Sequence, residues 1–175
     1  MRGYVLVGGW PGSGKSTLSR ALATELDVPL LCKDVVKETL MDALGAPSDV
    51  EQSRRLGRAA VLAVLAAARD CPAAVIDSTW YAYTEQPARA LPGPIVEVRC
   101  HVPLAIAEDR YRRRTRDPRH LDGLRLHSEL WGREVPPLDL GQVLDVDTSG
   151  PVDVREVAAS CRELLRTSAR LARSE

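Results

Sequence analysis

Ten residues near the start of the chain, Gly8-Gly9-Trp10-Pro11-Gly12-Ser13-Gly14-Lys15-Ser16-Thr17, constrain the fold more than any other stretch. Gly9, Gly14, Lys15 and Ser16 have the spacing G-x-x-x-x-G-K-[ST]. Before them, Tyr4 to Val7 reads as a buried strand, and after them the pattern is helical from about Lys15 to Leu26. A strand that turns through glycines into a helix aims backbone N–H groups and the positive helix end at one point, which suits phosphate oxygens. Gly12, Ser13 and Thr17 complete this nucleotide cradle, Lys15 is placed to reach the outer phosphates, and the Ser16 hydroxyl to help hold Mg²⁺.

Beyond the loop, apolar strand-like runs alternate with helical patterns. The strand-like runs are "PLLC", "AAVIDS", "PIVEVRCHV" and "QVLDVDTSG". Helices are expected over "KDVVKETLMDAL", over Asp49 to Arg69, from Pro103 at a first helical position, and from about Val152. "AAVLAVLAAA", the second half of the Asp49–Arg69 helix, is apolar almost all round and predicts burial against the sheet. This alternation specifies an α/β fold with a parallel sheet covered on both faces, and the 175 residues read as one domain, 1–175. The chain has no Phe, so the core must be built from Val, Leu, Ile and Ala, with most of its seven aromatics in or beside loops.

The formal net charge is zero, which leaves no global charge to hold a nucleic-acid polymer or a membrane. Cys32, Cys71, Cys100 and Cys161 form no C-x-x-C pair and read as free thiols. The apolar run before the first glycines is too short for a signal or membrane segment, so a cytoplasmic protein is the expectation.

In parallel α/β sheets, ligands collect where strands end. Asp77, closing "AVID", is placed to hold Mg²⁺ through water, with a turn or helix cap as its alternative role. The absence of asparagine excludes the Asn-Lys-x-Asp base reader of GTPase switches. There is also no LSGGQ-like stretch, and the length is short for a ring-forming motor. A small kinase remains.

"GGWPGSGKSTLSRAL", "KDVVKETL", "VIDSTW", "EDRYRRRT" and "DVDTSG", in this order, resemble the small P-loop kinases, the group of polynucleotide kinases, gluconate kinase, zeta-type toxins and chloramphenicol phosphotransferase. The resemblance implies a three-layer P-loop NTPase sandwich of the adenylate-kinase kind, with a five-stranded parallel sheet in the order 2-3-1-4-5 and a mobile lid at about 111–123. It makes Asp34 the carboxylate that takes the acceptor's proton, although that position also suits a helix N-cap. Lys37, three residues on, is placed near the transferring phosphate or substrate, or else is a surface lysine. Arg110 and Arg114 match the R-x-x-x-R of family lids, one against adenine and one on the transferring phosphoryl group. Arg112, Arg113, Arg116 and Arg119 fit the solvated face that such a charge run usually makes. Thr148 and Gly150 lie in the loop that cups the adenine edge in relatives. His101, His120 and His127 have no metal-ligand spacing.

Trp10 either packs between strand ends or looks toward the acceptor, and Trp80 and Tyr81, with Tyr83 beside them, would then wall the same pocket. The expected activity is ATP- and Mg²⁺-dependent phosphoryl transfer to a hydroxyl of a small molecule. Two alternatives are a 5′-hydroxyl polynucleotide or nucleoside kinase and a regulatory ATPase that transfers nothing.

Overall fold

The computed structural model describes residues 1–132 and 135–171. Five strands, β1 (Gly3–Gly9), β2 (Leu30–Cys32), β3 (Ala73–Asp77), β4 (Ile95–His101) and β5 (Gln142–Asp147), form one sheet in the order β2-β3-β1-β4-β5. Every pairing is parallel, with Val7 opposite Asp77 on one side and Val98 on the other. The helices are α1 (Lys15–Leu26), α2 (Lys33–Leu44), α3 (Val50–Ala68), α4 (Glu85–Arg89), α5 (Leu104–Arg113), α6 (His127–Trp131) and α7 (Val154–Leu171). This is the P-loop NTPase sandwich in the strand order expected of the adenylate-kinase kind.

Period-two alternation along β1 feeds two cores. Val5 and Val7 pack with Leu18, Leu22, Ala158, Cys161 and Leu165 on the α1–α7 face. Tyr4 and Leu6 pack with Val61, Val64, Leu65 and Trp80 on the α3 face. In a core without phenylalanine, Tyr4 supplies the aromatic volume and donates its hydroxyl to the Cys71 carbonyl at 2.7 Å. All four cysteines are free, and burial raises the Cys100 and Cys161 thiols to about 12 and about 11.

Local chemistry fixes the helix ends. The Asp49 side chain accepts from the Gln52 N–H, while the Gln52 side chain accepts from the Ser48 N–H, so two otherwise orphaned donors at the start of α3 are satisfied. Gly45 ends α2 at φ 95°. Two expectations need correction. Pro103 precedes α5 as its N-cap residue, because its carbonyl already accepts from Ile106 and Ala107. In α3, only Ala60, Val61, Val64, Leu65 and Ala68 of the apolar half are buried, and Leu62 faces outward. Six alanines among the ten residues leave the outer face apolar without enough bulk to need covering.

The phosphate loop is clamped by its neighbours. Gly12 has φ 81°, and a Cβ there would lie 2.0 Å from the Ala107 carbonyl oxygen in α5. Gly150 lies in a loop where an added Cβ would meet nothing within 4 Å. Gly12→Ala is therefore expected to lower the unfolding free energy by about 2–4 kcal/mol, from overpacking and left-handed strain together. Gly150→Ala should change it by less than about 0.5 kcal/mol. Denaturant titration of both variants checks the contrast.

Candidate active site

Three strand ends build the site. β1 runs into the glycine loop, β2 into Lys33 and Asp34 at the first turn of α2, and β3 into Asp77. These open onto a cleft of about 960 Å³ whose lining includes Lys15, Ser16, Asp34, Lys37, Asp77 and Arg114. Gly9, Gly12 and Gly14 all have positive φ, the twist that turns successive N–H groups inward. The Lys15 ammonium donates to the Trp10 carbonyl at 3.2 Å. Burial lowers its pKa, Asp77 and Asp34 oppose that, and Arg114 and Lys33 add to it, so five charges share one small volume.

Asp77 is buried, its Oδ1 has no hydrogen-bond partner, and Oδ2 meets the Cys32 thiol at 3.6 Å. A buried carboxylate oxygen without a donor calls for a cation or its water. Together with the Ser16 hydroxyl on the same cleft, that donor set fits hydrated Mg²⁺, which takes one or two protein oxygens and keeps several waters. Asp77 forms no helix cap, since it ends β3 and the next helical turn is capped by Tyr81.

Asp34 does not cap α2 either, because Cys32 occupies the cap position. Its carboxylate accepts from the Lys33 ammonium at 2.7 Å and from the Arg116 guanidinium at 2.7 Å. Burial would raise its pKa, but Lys33 and Arg116 outweigh it and hold the carboxyl well below the usual range. Arg116 also donates to Asp122, which accepts from Arg114 at 3.1 Å, and Arg114 lies 4.1 Å over the Tyr111 ring. A continuous run of alternating charge, Lys33–Asp34–Arg116–Asp122–Arg114, therefore links α2 to the segment after α5.

That segment folds down on α2. Arg119 donates to Asp42 at 2.7 Å, and His120, only 1% exposed, pairs with Glu38 at 2.9 Å. The Ser53 hydroxyl donates to the His120 carbonyl at 3.2 Å. Arg116 and Arg119 are thus inter-element contacts and not parts of a solvated face. Arg112 and Arg113 are exposed and reach only Asp109. Lys37 is no surface lysine. It is 2% exposed and donates to Ser53 at 2.7 Å.

On the opposite flank, Arg110 donates to the carbonyls of Thr148 and Ser149 at 2.8 Å, and the Thr148 hydroxyl lies 2.6 Å from the Ser13 carbonyl. These contacts hold the loop after β5, with Gly150, beside the glycine loop. Ser16 and Thr17 are exposed at the start of α1, and Ser13 is buried with its hydroxyl unpartnered.

The aromatics separate. Trp80 is buried, donates its indole N–H to the Val7 carbonyl at 3.0 Å, and packs where a Cβ on Gly8 would lie 2.7 Å from its ring. It walls the large cleft and a second one of about 370 Å³. Trp10 lines the smaller cleft, not the larger. Tyr81 and Tyr83 are exposed at the mouth of the large cleft, stacked with centroids 5.9 Å apart.

The family model described as an AAA domain matches residues 5–129. The chain belongs to this family of small P-loop kinases. Among solved structures, a presumptive kinase from Chloroflexus aurantiacus is 30% identical over 94% of this chain and 98% of its own, with a TM-score of 0.82. A gluconokinase from Sinorhizobium meliloti is 22% identical over 99% and 97% (TM-score 0.57). A shikimate kinase from Acinetobacter baumannii, in complex with shikimate, is 19% identical over 96% and 94% (TM-score 0.54). The last two are similar to this chain in fold. No curated protein matches it. Among the described residues, no helix of this P-loop kinase is long and apolar enough to cross a membrane.

Sequence reasoning missed Ser53, Asp122 and Arg125, which come to the cleft from α3 and from the segment after α5. No local pattern marks them. Burial pushes the Lys37 ammonium down to about 8, with Lys33, Arg125 and Arg116 repelling it further. An unfolded lysine titrates near 10.4, so between about 8 and 10.4 the unfolded chain binds the extra proton and stability rises with pH. Lys37→Met removes this titration. The stability it gains over the parent chain is expected to be largest below about pH 8 and to narrow toward pH 10, as measured by chemical denaturation across that range. A flat difference would mean that Lys37 keeps its proton.

Proposed function

We propose that this P-loop kinase moves the γ-phosphoryl group of ATP to a hydroxyl of a small molecule, with Mg²⁺ bound by Ser16 and, through water, by Asp77. One observation carries the reading: Lys15 of the phosphate loop and the ionised Asp34 open onto the same cleft. A pure nucleotide binder has no need of a second carboxylate fixed beside the phosphate site.

The glycine loop and Lys15 hold the donor's phosphates, and Arg110 and the Thr148–Gly150 loop border the adenine side. Bound Mg²⁺ supplies neutralisation of the β- and γ-phosphate oxygens. Asp34 accepts the hydrogen bond of the acceptor hydroxyl and aims its oxygen along the line of attack. The new O–P bond forms as the bond to the β–γ bridging oxygen breaks, ADP leaves, and the hydroxyl proton passes to Asp34 and on to water. Because the transition state of phosphoryl transfer is loose, the proton need leave only late, and a weakly basic carboxylate suffices as an orienting group. Lys15 and Arg114 neutralise charge on the migrating group. The segment from Arg114 to Arg125 covers the cleft and limits water's access.

The stacked Tyr81 and Tyr83 favour a second reading, a nucleoside or a 5′-hydroxyl nucleic-acid end as acceptor. Polymer binding weakens steeply with salt and small-molecule turnover does not, so the salt dependence of KM separates the two.

The deciding experiment is acceptor-stimulated ADP release from Mg²⁺-ATP over a panel of polyols, hydroxy acids, aminoalcohols, nucleosides and 5′-hydroxyl oligonucleotides. Asp34→Asn is expected to keep ATP binding and lose about 10²–10⁴-fold in the stimulated rate. Retained transfer would remove Asp34 from the reaction. Lys15→Ala should abolish both tight nucleotide binding and turnover, and an active variant would overturn the phosphate-loop assignment. No stimulation by any acceptor would defeat the kinase reading.

A further inference from the structure

Cations gather at the α2–α3 end of the large cleft without matching carboxylates. Of those bordering it, Lys15, Lys33, Arg114 and Arg116 belong to the phosphate site or to the charge run through Asp34 and Asp122. Arg54 is paired with Glu129 at 2.7 Å. With Arg58 set over the Tyr83 ring, Lys37 and Arg125 remain.

Neither forms a salt bridge among the described residues. Lys37 reaches a neutral hydroxyl, Ser53 Oγ at 2.7 Å, and lies 3.5 Å from His120 Nδ1. The Arg125 Nε is buried with no hydrogen-bond partner. Lys37, Tyr81 and Arg125 all line this cleft, and the Arg125 charge repels Lys37 and favours ionisation of the Tyr81 hydroxyl. Arg58, over the Tyr83 ring at 5.5 Å, extends the positive field along the mouth. Burying one ammonium and part of a guanidinium on the same cleft, with only the already paired Asp34 to offset the Lys37 charge, is unfavourable unless an anion completes the site. Lys37 lies one turn of α2 beyond Asp34, a rise of roughly 4.5 Å. A molecule of a few carbons can therefore present a hydroxyl to Asp34 and an oxyanion to Lys37 and Arg125 at once.

We infer that the acceptor is an anionic alcohol whose carboxylate or phosphate is held between Lys37 and Arg125, with Arg125 as the residue that selects charged over neutral acceptors. This inference rests on the kinase reading for the hydroxyl but not for the anion subsite. Arg125 follows the helical turn 122–124, whose Asp122 is tied to Arg116 and Arg114, so the selecting residue rides on the covering segment. An anion bound there also neutralises the repulsion on Lys37, which favours the closed arrangement of that segment.

The test pairs neutral polyols with their matched hydroxy acids and with their monophosphates, each offered to the enzyme with Mg²⁺-ATP for turnover. Calorimetry with Mg²⁺-ADP measures binding of the same compounds. The acids or the monophosphates are expected to bind and turn over with KM at least 10-fold below the neutral partners, and the arm that does so identifies the oxyanion. Arg125→Gln should raise KM for the anionic acceptor about 10–100-fold, as expected for losing a charged hydrogen bond, with a smaller effect on kcat. Arg125→Lys should recover part of the loss. Melting temperatures near that of the parent chain identify the variants that remain folded.

Equal KM for neutral and anionic acceptors, or discrimination that survives in folded Arg125→Gln, would overturn the inference and leave the kinase reading standing. Anion binding that depends on Arg125, with no acceptor turned over, would uphold the subsite and defeat the kinase reading. An absence of both binding and turnover would overturn both.

Discussion

The loop between β1 and α1 requires glycines that turn through positive φ while other backbone presses against them, and the rest of the site depends on that constraint. The Ala107 carbonyl lies where a side chain on Gly12 would go, and Cys100 and Ser13 crowd Gly9. A loop hemmed in this way has one shape. Its backbone donors are set in place before any phosphate arrives, so little ordering cost is left for binding. The same packing brings α5 and the loop after β5 against the phosphate loop. Thr148 bonds the Ser13 carbonyl and Arg110 holds Thr148 and Ser149, so the loop after β5 is registered on the phosphate loop and not on the sheet alone.

Electrostatics organises the other flank by alternation. In the run Lys33–Asp34–Arg116–Asp122–Arg114 each charge has an opposite neighbour, and in a partly buried cleft such a run is favourable where an isolated member would not be. Mechanically it ties the first turn of α2 to the segment after α5. Chemically it keeps Asp34 ionised. The pairing at Lys37 follows a different logic, since its hydrogen-bond partners are a hydroxyl and an imidazole and no carboxylate pairs with it among the described residues.

Much of the architecture was legible because it rests on short-range pattern. The two-residue period of Tyr4 to Val7, the glycines at their fixed spacing and the acids closing "AVID" and opening "KDVVKETL" place strands, loop and carboxylates with little reference to distant chain. What was not legible depends on pairing across the fold. Arg116 looks like any other arginine in "RYRRRTRDPRH", and only the return of that segment onto α2 distinguishes it from Arg112 and Arg113. Ser53 sits on a helix that was readable, yet its partner Lys37 is sixteen residues away on another element. Trp80 has two roles. It lines the large cleft, as a pocket-wall aromatic would, and its N–H goes to the Val7 carbonyl while its ring fills the space above Gly8, so it is also a plug between strand ends. That plug divides the opening into two clefts and leaves Trp10 on the smaller one.

The low basicity of Asp34 looks like a handicap for the role proposed for it, receiving the acceptor's proton. Reaction geometry resolves this. If the transferring phosphoryl group is already largely detached from its leaving oxygen when the acceptor approaches, the hydroxyl becomes acidic only after the new bond has begun to form, and an unpaired, more basic carboxylate would gain little. Lys33 and Arg116 provide position instead, fixing both oxygens of Asp34 so that the lone pair facing the cleft has one direction. Arg116 comes from the segment after α5, so this geometry depends on that segment lying against α2. In the proposed transfer, where water competes with the acceptor for the same group, the ion pair that weakens Asp34 as a base would couple its aim to the seating of that segment, and such coupling would matter more than basicity.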